Sequence, residues 1–515
     1  MYPKTIAGIV AASFFLPVSP RAQSANSISS RPETGRKDAH LSFPGSPLGI
    51  AWGFLYGNLG VKAEQFMPQV RELGGGFTKV YLFWDQVEPQ KGKYDWSAVD
   101  AFMNQLKAPE EGLISLYSSS QWAAKRSAAL LPPSPARNPD DYYRFVNELV
   151  KHCHGCVRYW QNDSEPNNPI YWSGTKEEFV AQLKVFHKAV KDADSSAVVV
   201  VGGYDGLFGP PGTRPFPNQQ AGLDFFDYVL KEGRDGFDLF DLRLYGDSYT
   251  IVARVEFMRQ KMLALGYNKP IICTEYGGPA FFQFPENRKY FSLLSSWMQS
   301  VVQTDQNAAR LQDSVGGNQI AELYQRMSSL APETQMFMLD CAPELEAKYN
   351  RIQVRGLVMR NLFAFAAGVQ KTLYWQLLDN RDNRHNMMTL MYGKIGLLGY
   401  ENGALRKRYP TADAFQRMTK TLAGLREVKR TDVPGRPSIF LFEVDRGARG
   451  PVFVVWERRD EFTGENSTPV PFDCEWAGAK ATAMDALGQT LPTRIADRRL
   501  HLEISLTPVF LEPVR

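Results

Sequence analysis

Two carboxylates stand out by their neighbours. In the stretch 159–172, YWQNDSEPNNPIYW, Glu165 precedes a proline after a segment that begins like a buried strand. In 269–279, KPIICTEYGGP, Glu275 ends an apolar run and Gly-Gly-Pro then turns the chain away. A Glu at the tip of an apolar strand can pair with a buried Arg or cap a helix. Two of them brought face to face could instead divide nucleophilic and acid–base work. Asp163 is shorter and lies further back along its strand, which suits a structural hydrogen-bonding role. A second candidate cluster is HCHGC at 152–156, with Cys153 and Cys156 beside His152 and His154. No further pair of ligands at zinc-like spacing follows it, so a local disulfide or two free thiols is favoured over a metal site.

The bulk composition narrows the class of protein. The 59 basic and 55 acidic side chains leave a net charge of +4 with no long basic run, which argues against nucleic-acid or polybasic membrane binding. Five cysteines in 515 residues are too few for a disulfide scaffold. Lys4 followed by the apolar run Thr5–Val18 and Ala22-Gln23-Ser24 predicts a cleaved export signal over 1–24, and polar residues 25–44 a linker. No later stretch approaches the roughly 20 apolar residues of a membrane span. An exported protein is expected.

The elements that must position the two Glu residues follow from alternation. Eight short apolar segments read as strands: 48–54, 77–84, 112–119, 157–162, 197–203, 240–246, 270–277 and 371–377. Helix-like stretches lie between most of them, such as 176–193, where Phe179, Leu183, Phe186 and Val190 share one side. Repeated βα units of this number predict a (β/α)8 TIM barrel over 45–428, whose chemistry belongs at the C-terminal ends of the strands. Glu165 and Glu275 close the fourth and seventh strands. The long piece 278–370 reads as a helical, polar insertion near the barrel mouth or along a partner surface. From 429 to 515, short alternating strands predict an antiparallel β-sandwich.

These segments carry a resemblance. YWQNDSEPNN and KPIICTEYG resemble the fourth- and seventh-strand motifs of the retaining glycoside hydrolases of clan A. The similarity extends to 79–106, 371–379 and 393–415, and EPNNPIYW with the sandwich tail most resembles glycoside hydrolase family 39, the β-xylosidase and α-L-iduronidase group. The resemblance implies a carbohydrate substrate, no cofactor and no metal. Glu275 would be the nucleophile, held ionised by neighbouring donors. Glu165 would be the acid/base, its pKa expected to be raised by an apolar setting and by the second carboxylate. Trp375 would stack under the sugar, with Trp84 and Trp122 as flanking rings, the alternative for each being a place in the core.

Two departures bear on activity. The family's usual Asn before the acid/base is Ser164 here, a shorter group that leaves Asn162 or Asn167 to meet the sugar 2-hydroxyl, or signals an unusual substrate. The sixth strand carries Arg243-Leu244-Tyr245 where many members have His-x-Tyr. Tyr245 can donate to the nucleophile; Arg243 can pair with an acidic sugar, neutralise Glu275, or act as a buried structural ion pair. The rivals to an active enzyme are a carbohydrate-binding barrel of impaired activity and, from another class, a metal-dependent protein built on HCHGC.

Overall fold

The computed structural model describes residues 45–54, 62–203, 220–303, 317–379, 381, 384–401 and 403–514. The expected signal peptide (1–24) and linker (25–44) lie outside them, as do parts of the loop 379–386.

Eight strands, β1 (Leu48–Phe54), β2 (Phe77–Phe83), β3 (Glu111–Tyr117), β4 (Tyr159–Asn162), β5 (Val198–Val201), β6 (Phe240–Asp241), β7 (Ile271–Tyr276) and β8 (Thr372–Trp375), form one parallel sheet. Its order is β5-β4-β3-β2-β1-β8-β7-β6, and a parallel bridge between Val200 and Leu239 closes β5 onto β6. Each strand leads to a helix of the outer ring: α1 (Ala63–Glu72), α2 (Ser97–Gln105), α3 (Pro139–His152), α4 (Lys176–Ala193), α5 (Gln220–Glu232), α6 (Ile251–Ala264), α7 (Pro343–Ala366) and α8 (Pro410–Thr421). This is the TIM barrel the alternation predicts. Strands are covered on both sides, so β2, FTKVYLF, is buried at every position. Helix α4 spans the residues its periodicity predicts, with Phe179, Leu183, Phe186 and Val190 all inward.

The sixth strand is shorter than expected, and the reason is local. The carbonyls of Arg243 and Tyr245 are taken by the Arg254 guanidinium, at 2.5 and 2.7 Å, instead of by a neighbouring strand. Between β7 and α7 the insertion builds a second core, in which Phe281, Phe284, Trp297, Met336 and Phe337 pack with Ile170 after β4 and with Met387 and Leu390 after β8. Loops following strands lie at the C-terminal end of the barrel, so the insertion stands beside the mouth.

A hairpin, β9 (Leu398–Glu401) and β10 (Ala404–Arg408), precedes α8. The tail then folds into two antiparallel sheets. One holds β11 (Glu427–Thr431), β12 (Ile439–Asp445), β13 (Val452–Glu457), β15 (Ala481–Asp485) and β18 (Val509–Pro513). The other holds β14 (Val470–Glu475), β16 (Arg494–Ala496) and β17 (Arg499–Ile504). Strand β14 carries Pro471, which is tolerated because β14 is an edge strand, where a missing N–H costs no ladder bond.

Candidate active site

Glu275 owes its direction to an irregularity in β7. Against β8, Cys273 pairs with Thr372 but Tyr276 pairs with Tyr374, so β7 carries one extra residue there. A bulge of this kind breaks the alternation of faces and re-aims a side chain. Thr274 and Glu275 consequently both meet the inward-facing Lys79 of β2, whereas the Tyr276 hydroxyl accepts from Asn361 on α7.

Four groups converge on the Glu275 carboxylate. Lys79 Nζ donates to Oε1 at 2.9 Å, the Tyr81 hydroxyl donates to the same oxygen, and Tyr245 donates to Oε2 at 3.3 Å. The fourth is Arg243, whose Nη2 lies 3.1 Å from Oε1. Burial pushes this carboxyl up, but Arg243, Lys79 and the Tyr81 hydrogen bond outweigh it and hold it below the ordinary range. Burial and the adjacent guanidinium push Lys79 down as well, to about 8, against the attraction of Glu275 and Asp241.

Glu165 follows β4, in which faces alternate. Gln161 points into the barrel and donates to Asp241 at 2.7 Å. Asn162 therefore points outward, where its Oδ1 accepts from Tyr142 of α3 at 2.6 Å. The chain then turns at Asp163, in the left-handed region at φ 53°, whose Oδ1 accepts the Ser118 N–H at 3.0 Å. Burial raises this carboxyl to about 8 against the Ser118 hydrogen bonds. Ser164 and the largely buried Glu165 come next, at the mouth.

Arg243 joins the two carboxylates. It is fully buried, and its Nε donates to Glu165 Oε1 at 3.3 Å while Nη2 faces Glu275. Nη1 donates to Asp241 Oδ2 at 2.8 Å and to Thr274; Nη2 also donates to Ser164 Oγ at 2.8 Å. All five guanidinium N–H groups are thus directed at protein. The guanidinium touches Glu165 as well as Glu275, so Glu165 faces a cation in addition to the second carboxylate. Gly203 makes room for it: a Cβ there would lie 2.4 Å from Arg243 Cζ.

Several expected contacts take other places. Trp84 is completely buried against Trp122, Tyr142 and Phe145, and its indole N–H donates to Glu88 at 2.8 Å, so it is a core residue and not a sugar-facing ring. Trp122 packs edge-on against it, half-buried, and its indole N–H donates to the Glu88 carbonyl at 2.8 Å. Asn162 is excluded from the sugar by its outward face. Arg243 has no donor left for an acidic sugar; of its expected roles, the buried ion pair and the neutralisation of Glu275 are the ones seen. Asn167 is half-buried, and its Oδ1 has no hydrogen-bond partner among the described residues. Trp375, at the end of β8, stays partly exposed and packs edge-on against Tyr245 and Tyr392, at ring separations of 6.4 and 5.3 Å.

Sequence reading misses Lys79, Tyr81 and Asp241. The signal for Lys79 was present: a charged side chain in an otherwise apolar strand, two positions from Tyr81 and hence on its face. At HCHGC, Cys153 and Cys156 are free thiols, and His152 and His154 pair with Asp100 and Asp194 at 2.6 and 3.2 Å. Among the described residues no three His, Cys, Asp or Glu side chains cluster as metal ligands, and no helix is long and apolar enough to cross a membrane.

Comparison with family models and with curated proteins returns no match. Solved structures do match. A family 39 glycoside hydrolase from Bacteroides cellulosilyticus WH2 aligns with a TM-score of 0.57 at 14% identity, over 91% of this chain and 81% of its own. A monomeric beta-xylosidase from Caulobacter crescentus CB15 aligns at 0.55 and 13%, over 91% and 96%. A GH39 enzyme from Xanthomonas axonopodis pv. citri aligns at 0.54 and 13%, over 91% and 94%. At these identities the likeness establishes a shared fold of barrel and sandwich.

Proposed function

We propose that the protein is a retaining glycoside hydrolase that cleaves O-glycosidic bonds of β or equivalent equatorial configuration in oligo- or polysaccharides. One observation carries this reading: Glu165 and Glu275, from the ends of β4 and β7, both contact Arg243, through Nε and Nη2 of one planar guanidinium. Two carboxylates held by one guanidinium suit a double displacement, in which both act on a single anomeric carbon. Glu275, ionised by its four partners, is suited to attack the anomeric carbon. Glu165, at the mouth, is suited to protonate the leaving oxygen and then to take a proton from water. Trp375 offers a partly exposed ring beside Tyr245, itself a donor to Glu275, for the apolar face of the sugar. The shared fold with solved glycosidases supports the same reading.

A 2-fluoroglycoside traps the intermediate of such a reaction. Incubation with a panel of activated 2-fluoro sugars is expected to leave one sugar covalently on Glu275, found by peptide mass spectrometry. The second reading, a carbohydrate-binding barrel of impaired activity, rests on Ser164, which is occupied by Arg243. Glycan binding without labelling across the panel would select it.

A further inference from the structure

We propose that Arg243 is a positioning residue that serves both carboxylates as a common counter-ion and keeps the buried charge balanced through the two halves of the reaction. This rests on the retaining reading above. The fully buried Arg243 and Lys79 face the fully buried Asp241 and the nearly buried Glu275. In the resting enzyme Glu275 is ionised and Glu165 carries the transferable proton. In the first half-reaction the glycosidic C–O bond breaks and its electron pair passes to the leaving oxygen, which takes the Glu165 proton. A Glu275 oxygen bonds to the anomeric carbon and loses its charge. One negative charge has then moved from Glu275 to Glu165. In the second half, water gives a proton to Glu165 and its oxygen to the anomeric carbon, and Glu275 leaves with the electron pair.

A buried cation stripped of its partner is costly. Arg243 escapes this because the charge moves between two groups that it already touches, at Nη2 (3.1 Å) and at Nε (3.3 Å). Lys79 touches only one of the two: among the described residues its hydrogen-bonded carboxylate is Glu275. Asp241 and Thr274 fix Nη1, and Gly203 leaves the guanidinium its space. The same arrangement gives Ser164 a reason. Its short side chain accepts Nη2 at 2.8 Å and thereby admits the guanidinium beside the acid/base.

The two half-reactions can be timed separately: labelling of Glu275 by the 2-fluoroglycoside, and recovery of the labelled enzyme in water. With full-length protein, Arg243→Gln is expected to slow both steps by about 100-fold, and Arg243→Lys to recover part of each loss because it restores the charge. A purely structural hydrogen-bonding role predicts Gln as good as Lys. Normal rates in Arg243→Gln, or slowing of one step alone, would overturn the proposal. If thermal melts show that neither variant folds, Gly203→Ala, which crowds the guanidinium without removing its charge, is read by the same two rates with the same expectation. Wild-type protein that is never labelled refutes the hydrolase reading and this proposal together; wild type labelled normally, with an unaffected Arg243→Gln, refutes only this one.

Discussion

Asp163 holds a buried carboxyl two residues before Glu165, at a left-handed backbone position that suits Asp or Asn. Its value rises from 3.8 to about 8 on burial. A raised acid contributes stability that is complete below about pH 4 and is lost as pH climbs to about 8. Asn keeps the acceptor for the Ser118 N–H and the tolerance for positive φ without the charge. Asp163→Asn is therefore expected to flatten that slope and to be more stable than the parent at pH 8, on the order of 1–2 kcal/mol. Urea melts at pH 5 and pH 8 check this, and a variant that keeps the parent's slope contradicts it. The structural role of Asp163 was legible from its recessed place before Glu165. The contest at Glu275 was only half legible: the acid is plain in CTEYGG, but all four of its partners lie elsewhere in the chain, two on β2 and two just after β6.

At the scale of elements, local patterns read well where the element is self-contained. Helix α4 opens with a capping box: Glu178 N–H donates to Thr175 Oγ1 at 3.2 Å and Thr175 N–H to the Glu178 carboxylate at 2.9 Å. Thr175→Ala is expected to cost about 1 kcal/mol, measured as a lower midpoint in denaturant with the slope unchanged. Its 3.6-residue periodicity sits in one contiguous stretch, which is why the sequence locates its ends. The bulge of β7 is of another kind. It exists only in the register between β7 and β8, set by residues about a hundred positions apart in the chain, and nothing in IICTEY announces it.

For the whole molecule, barrel and sandwich share a core. Trp456 of β13 stacks between Phe440 and Phe442 of β12, meets Phe363 of α7 edge-on at 5.8 Å, and donates to Tyr249 at 2.9 Å. Removing it opens a cavity at the junction of the two, so Trp456→Ala is expected to lose about 3–5 kcal/mol and to lower the melting of barrel and sandwich together. A melt in which the barrel's transition stays in place would contradict the shared core. The sequence alone determined the eight-fold alternation, the sandwich and the strand-end places of Glu165 and Glu275. Those depend on periodicities of two and 3.6 residues and on turn chemistry, which short stretches carry by themselves. Tertiary structure decided that Trp84 and Asn162 face outward, that β7 bulges, and that Lys79 meets a carboxylate 196 positions away. Such outcomes turn on strand register and on which buried charges must find partners. Both are properties of the closed barrel, and of no segment taken singly.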